Sequence, residues 1–228
     1  MAEDSGTSMI WSRGMKFPND KSILTAKRRQ LLREGRYENK EHDALLRLAR
    51  PEDRVLELGA GIGFISTALS RKVGVAAITV YEANPTLIPY IKTVHELNGV
   101  TDARVENAVL TDGPETTADF YVRRDFVASS LDYTSGGRIV ETVAVPAHNV
   151  NDVLQTLKPT LLICDIEGGE ASLLPAADLG SLRVAIIELH PKTIGPAGIG
   201  AIFDAMSRAG LIYDPDTSRG KVVAFVRP

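Results

Sequence analysis

One nine-residue segment, Val55-Leu56-Glu57-Leu58-Gly59-Ala60-Gly61-Ile62-Gly63, constrains this chain more than any other. It opens as a short apolar run of strand type, and glycine at every second position then makes a tight turn. The residues that follow, Phe64 to Lys72, read as a helix with Ile65, Ala68 and Leu69 facing inward. Glycine lets the backbone approach a ligand where a Cβ would clash. The helix starting directly behind it leaves its first N–H groups free, which suits an anion or the polar tail of a ligand. The spacing separates cofactors. In the dinucleotide fingerprint G-x-G-x-x-G the third glycine would fall at position 64, but this chain has Phe64 there and Gly63 one place earlier.

Around that turn the pattern alternates. Ile23 to Arg33 and Glu41 to Ala49 read as helices, and Pro51-Glu52-Asp53 breaks the pattern before the strand Arg54 to Leu58. A strand at Ala76 to Tyr81, a helix from Thr86 to Asn98 ended by Gly99, and a strand at Ala103 to Val109 follow. Later come strands at Thr160 to Cys164 and Arg183 to Leu189, and a helix at Ile199 to Ala209 ended by Gly210. Strands at Leu211 to Tyr213 and Val222 to Val226 close the series. Such alternation indicates an α/β protein with a parallel, helix-covered sheet. Asp119 to Phe126 and Arg138 to Val145 interrupt it; they bracket Ser135-Gly136-Gly137 and read as an inserted antiparallel strand pair. Residues 1 to about 22 read as loosely structured, with Met9-Ile10-Trp11 and Phe17 as isolated anchors. The expected organisation is an N-terminal extension with helices packing on the core over 1–50, and the ligand-binding domain over 51–228.

Composition narrows the partners. A chain of 228 residues with 44% hydrophobic and 24% charged residues can bury a core without disulfides or metal staples. The net charge of -3 and pI near 5.9 argue against nucleic acid as a partner. The short basic clusters, Lys27-Arg28-Arg29 with Arg33 and Arg36, and Arg123-Arg124, read as solvated faces. Cys164, the only cysteine, lies in an apolar strand and reads as a small buried hydrophobe. The first residues lack a secretory pattern, and no apolar run approaches the ~18 residues of a membrane span. The expectation is a cytoplasmic protein with no membrane partner, and homo-oligomerisation stays open.

Glu82 ends the second strand about 20 residues after the turn, where a carboxylate can accept hydrogen bonds from both hydroxyls of a ribose. As a strand-end residue it is expected at the surface. Asn84-Pro85 opens the next helix, with Asn84 as its N-cap. The Glu57 to Gly63 segment, E-x-G-x-G-x-G, resembles motif I of class I methyltransferases. From Gly35 to Tyr213 the chain resembles the FkbM-type methyltransferases. Beyond the turn, the resemblance rests on Gly35-Arg36-Tyr37-Glu38, Tyr81-Glu82-Ala83-Asn84-Pro85 and Asn107-Ala108-Val109. It continues through Ser129-Ser130-Leu131, Cys164-Asp165-Ile166-Glu167-Gly168-Gly169-Glu170 and Ile187-Glu188-Leu189-His190-Pro191. Gly169 stands where family members commonly have Ala. The resemblance implies a Rossmann-like class I methyltransferase fold, a mostly parallel seven-stranded sheet with helices on both faces. It implies S-adenosyl-L-methionine as cofactor and methyl transfer to a hydroxyl of a sugar, polyketide or other small molecule. The implied cofactor contacts are Tyr37 and Glu38, Glu57 at the methionine end, and Gly59, Ala60, Gly61 and Gly63 around the cofactor. Glu82, Ala83, Asn84 and Asp165 join them, with Asn107 and Ala108 at the level of the adenine.

Asp165, Glu167 and Glu170 cluster beyond one strand end, and Glu188 and His190 close the next on one face. An alcohol is a weak nucleophile, so a base should take its proton. His190 is the first candidate, with an unperturbed pKa near ~6.5; Glu167 and Asp165 come next, unless Asp165 holds the cofactor's amino group. A Mg²⁺ held by Asp165, Glu167 and Glu188 is a less favoured route, since no ligand spacing dedicates them to a metal. Three other readings differ in what they bind. A nicotinamide oxidoreductase would bind NAD, and a non-catalytic protein would bind S-adenosylmethionine without turnover. A protein or RNA methyltransferase would take a macromolecular acceptor, but the acidic pI weighs against RNA and no N-P-P-Y-like segment follows the fourth strand.

Overall fold

The computed structural model describes residues 8–123, 131 and 139–228. The chain enters through a hairpin, β1 (Met9–Ser12) and β2 (Met15–Pro18), followed by helices α1 (Ala26–Arg33) and α2 (Asn39–Leu48). The alternation then runs β3 (Arg54–Leu58), α3 (Phe64–Ala68) with a π-helical turn at Leu69–Val73, β4 (Ala77–Tyr81), α4 (Ile88–Asn98) and β5 (Ala103–Glu106). An insertion of β6 (Val109–Thr111), β7 (Thr117–Arg123) and β8 (Ile139–Asn149) follows. The chain ends with α5 (Val150–Leu157), β9 (Leu161–Cys164), α6 (Glu170–Ala176), β10 (Val184–Glu188), α7 (Pro191–Arg208), β11 (Ile212–Arg219) and β12 (Val222–Val226).

Among the described residues the main sheet has seven strands in the order β11-β12-β10-β9-β3-β4-β5. β10, β9, β3, β4 and β5 pair in parallel, and β12 lies antiparallel between β10 and β11. Strands buried on both faces read as continuous apolar runs rather than alternating ones, and β9 is buried along its whole length. On one face Val55, Ile78, Val80 and Ile163 pack with residues of α1 to α4; on the other Leu56, Leu58, Leu162 and Ile187 pack with α5, α6 and α7. Helices therefore cover both faces. No helix among the described residues is long and apolar enough to cross a membrane.

The structure departs from the sequence reading in several places. Residues 9–18 are an ordered hairpin rather than a loose segment, and Phe17 is fully buried, stacked 5.6 Å from Phe64. The strand expected over Ala103 to Val109 divides, since β5 belongs to the main sheet and β6 to a second sheet of order β6-β8-β7. The inserted pair is antiparallel as expected, with β6 added in parallel to β8. Residues 124–130 and 132–138, which contain Arg124, Ser129-Ser130 and Ser135-Gly136-Gly137, lie outside the described residues. The last helix starts at Pro191, eight residues before the expected Ile199, and bends at Gly195-Pro196. Arg28 and Arg123, read as solvated, are buried.

Candidate active site

Parallel strands carry their ends to one edge of the sheet, and the loops there enclose a cavity of about 490 Å³. The turn after β3 forms its floor. Gly59 leaves the strand at φ +83, and its N–H donates to the Tyr81 carbonyl across to β4 (2.9 Å). A Cβ at Gly59 would overlap the backbone carbonyl of Asp165. The glycine is therefore demanded by the crossing of two loops as well as by its backbone angle. Gly63, at φ +73, precedes α3, and a Cβ there would come within 3.1 Å of the Ile91 side chain.

Glu82 binds this turn to β4. Its Oε2 accepts the Gly61 N–H (2.9 Å) and its Oε1 accepts the Asn84 N–H (2.8 Å). It is buried rather than surface-exposed, and burial pushes its pKa up to about 7 against the opposing effect of those backbone donors. Asn84 is not the cap of α4, which begins four residues later. Its Oδ1 instead accepts the Thr86 N–H (3.0 Å) and hydroxyl (2.7 Å), closing an Asx-type turn. Asn107 donates through Nδ2 to the carbonyls of Glu82 (2.9 Å) and Ala83 (3.0 Å), so it holds the strand ends together.

Glu57 lies beneath the turn, almost fully buried. Burial pushes its pKa up to about 8, with hydrogen bonding from Ser66 opposing, and its Oε2 accepts no hydrogen bond among the described residues. Tyr37 and Glu38 reach the cavity from the start of α2. Tyr37 packs edge-on against Phe64 at 5.5 Å, and Glu38 takes a left-handed φ of +43 as the residue before the helix. Burial pushes both side chains' pKa values up.

The rim is built by β9, β10 and the loops behind them. After β9 the loop turns sharply through Glu167 (φ +52) and Gly168 (φ +111), and α6 begins at Glu170. Glu170 is fully buried. Its Oε2 accepts the Gly168 N–H (2.8 Å), and its Oε1 accepts the His190 N–H (3.1 Å) and faces His190 Nδ1 at 3.0 Å. A carboxylate accepts only, so Nδ1 carries a proton. His190 Nε2 faces Glu167 Oε2 at 3.2 Å and Asp165 Oδ1 at 3.6 Å. Burial opposes charge on this imidazole, but its hydrogen bonds to Glu167 and Glu170 and the charges of Glu167 and Asp165 outweigh it, pushing the pKa up to about 10. Asp165 is pushed the other way from its charged form, by burial and by the charges of Glu188 and Glu167.

Of the expected site residues, Tyr37, Glu38, Gly59, Gly61, Glu82, Ala83, Ala108, Asp165 and Glu167 line the cavity. Glu57, Ala60, Gly63, Asn84, Asn107 and His190 stand behind its wall. Two contributors were not assigned from sequence. Glu170 fixes His190, and an apolar wall comes from Leu110 and Phe120 of the insertion with Ile166 and Leu173. Nothing in the local pattern separates Glu170 from its acidic neighbours. The wall depends on how the insertion folds back.

No protein-family model matches the chain, and no curated protein sequence matches it. Solved structures do. Precorrin-6y C5,15-methyltransferase from Geobacter metallireducens GS-15 superposes over 92% of this chain and 92% of its own, at TM-score 0.50 and 13% identity. TYW2 from M. jannaschii, solved in complex with AdoMet, covers 97% of this chain and 86% of its own, at TM-score 0.52 and 14% identity. Trm5b from Pyrococcus abyssi covers 99% of this chain, which spans 56% of its length, at TM-score 0.51 and 12% identity. These likenesses are of fold. The sheet order, the reversed β12 and the helix layers are those of a class I methyltransferase fold.

Proposed function

We propose that this chain is an S-adenosylmethionine-dependent methyltransferase acting on a hydroxyl oxygen of a small molecule, as its resemblance to the FkbM-type enzymes implies. One observation carries the reading: the glycine turn, the carboxylate Glu82 and the acidic rim converge on a single cavity of about 490 Å³. The residues fit the cofactor. The turn gives close backbone approach, Glu82 offers a carboxylate to hydroxyls, and Glu38 and Asp165 offer carboxyl oxygens that a cationic ligand would draw toward their charged form. When bound, S-adenosylmethionine supplies a methyl group already made electrophilic by its sulfonium.

The chain's own part is to hold the acceptor, exclude water and accept a proton. Leu110, Phe120, Ile166 and Leu173 supply the apolar wall. For the proton we assign Glu167, which lines the cavity. His190, the first choice on sequence grounds, turns both ring nitrogens toward carboxylates and stands behind the wall. Its part is to orient Glu167. Of the superposed structures one is named a precorrin C5,15-methyltransferase and another was solved with AdoMet, and neither name points to a hydroxyl, so the hydroxyl acceptor stands on the resemblance and on this rim.

Mass spectrometry of a pool of hydroxylated metabolites incubated with methyl-labelled S-adenosylmethionine tests the activity. With an acceptor in hand, Glu167→Gln should lower kcat by about 10²–10⁴-fold while cofactor affinity stays near wild type. Full activity in Glu167→Gln together with an inactive His190→Ala would return the base role to His190.

A further inference from the structure

The rim holds more carboxyl groups than one acceptor proton requires. Asp165, Glu167 and Glu188 crowd His190, and Glu41 adds its charge to theirs; burial and the Glu188 charge push Glu41 up as they do Asp165. Among these groups, one ligand atom each from Asp165, Glu188 and His190 lies within 4.8 Å of the others. Two independent features mark this trio. His190 Nδ1 is fixed by the fully buried Glu170, whose second oxygen is fixed by the Gly168 N–H, and this turns Nε2 toward Glu167 (3.2 Å) and Asp165 (3.6 Å). An imidazole held through its far nitrogen by a carboxylate is how metal-ligating histidines are oriented. Separately, Asp165 Oδ1 is sealed from solvent and accepts no hydrogen bond among the described residues. The His190 Nε2 that faces it stands at 3.6 Å, too far for a hydrogen bond, and a buried oxygen in that position gains from a ligand that binds it.

We propose that Asp165, Glu188 and His190 form a binding site for one divalent first-row transition cation of the Mn²⁺ type, with Glu170 as its positioning residue. One imidazole nitrogen among carboxylate oxygens suits Mn²⁺ better than Mg²⁺, whose preference is for oxygen alone. The set differs from the all-oxygen Asp165, Glu167 and Glu188 group expected from sequence, because His190 enters it and Glu167 leaves. Since Asp165 also lines the cavity, a cation held behind it would border the acceptor space and, with a hydroxyl as ligand, would make that hydroxyl more acidic. That consequence rests on the methyltransferase reading; the site itself does not.

The test uses full-length protein treated with EDTA and desalted, titrated with Mn²⁺ while free Mn²⁺ is followed by electron paramagnetic resonance. Wild type should bind one equivalent. Glu188→Gln should lose that binding. Glu170→Gln should weaken it by about 10–100-fold, and Glu96→Gln, on the exposed side of α4, should bind as wild type. Circular dichroism checks that each variant is folded, and S-adenosylmethionine calorimetry on the same samples reads the cofactor site separately. Cofactor binding without Mn²⁺ binding overturns the cation site and leaves the function standing. Undiminished Mn²⁺ binding in folded Glu188→Gln also overturns it.

Discussion

Glu82 shows how a single carboxylate can tie a fold together and still line a cavity. Each of its oxygens already accepts a backbone N–H, one from the glycine turn and one from the loop after β4. Each oxygen keeps a second lone pair for a ligand hydroxyl. Glu82→Gln removes the charge and turns an amide toward one of those donors. Cofactor affinity should fall by about 1.5–3 kcal/mol, and stability by about 1–3 kcal/mol for the donor left unpaired. Calorimetry and thermal melts read the two effects, and unchanged affinity in the folded variant would remove Glu82 from the site. Glu57 gives a prediction of a different kind. Its folded pKa is raised from 4.5 to about 8, so between those values the folded state keeps a proton that the unfolded state has released. Its contribution to stability is therefore full below about 4.5 and is lost as pH rises to about 8. In cofactor-free protein, Glu57→Gln should flatten that part of the slope and melt above wild type at pH 8–9. A variant whose slope parallels wild type would contradict the buried, proton-holding carboxylate.

At the scale of elements, the β1–β2 hairpin supports the glycine turn from behind. Phe17 stacks on Phe64, the first residue of α3, directly after Gly63. Phe17→Ala should cost about 3–5 kcal/mol, lowering Tm by about 2–4 °C for each kcal/mol; a loss under ~1 kcal/mol in denaturant titration would mean the hairpin is an ornament of the core. The sequence hid this hairpin because its strands have four residues each, too few for a period of two to register. The short α5 and α6 escaped for the same reason, α6 also holding Pro175. Where runs were longer, or ended in glycine at a left-handed φ, as α4 does at Gly99, the reading stood. The rim was legible only in part. Strand alternation placed Glu188 and His190 together, but the return of Glu170 to His190 depends on the left-handed turn at Glu167-Gly168, which has no periodic signal.

Across the whole molecule, the parallel sheet makes a site from residues far apart in sequence. β3, β4 and β9 end side by side, so Gly59, Glu82 and Asp165 share one cavity although more than a hundred positions separate the first from the last. The glycine spacing made the fold readable, because one residue's shift separates this turn from the dinucleotide fingerprint. The insertion contributes Leu110 and Phe120 to the cavity wall, and that contribution could not be read from strands whose partners lie across the chain. Calorimetry with S-adenosylmethionine, its demethylated product and NAD tests the central claim most directly. The account predicts saturable binding of the first two, weakened in Glu82→Gln, and none of NAD. Saturable binding of NAD with no heat from S-adenosylmethionine would contradict it.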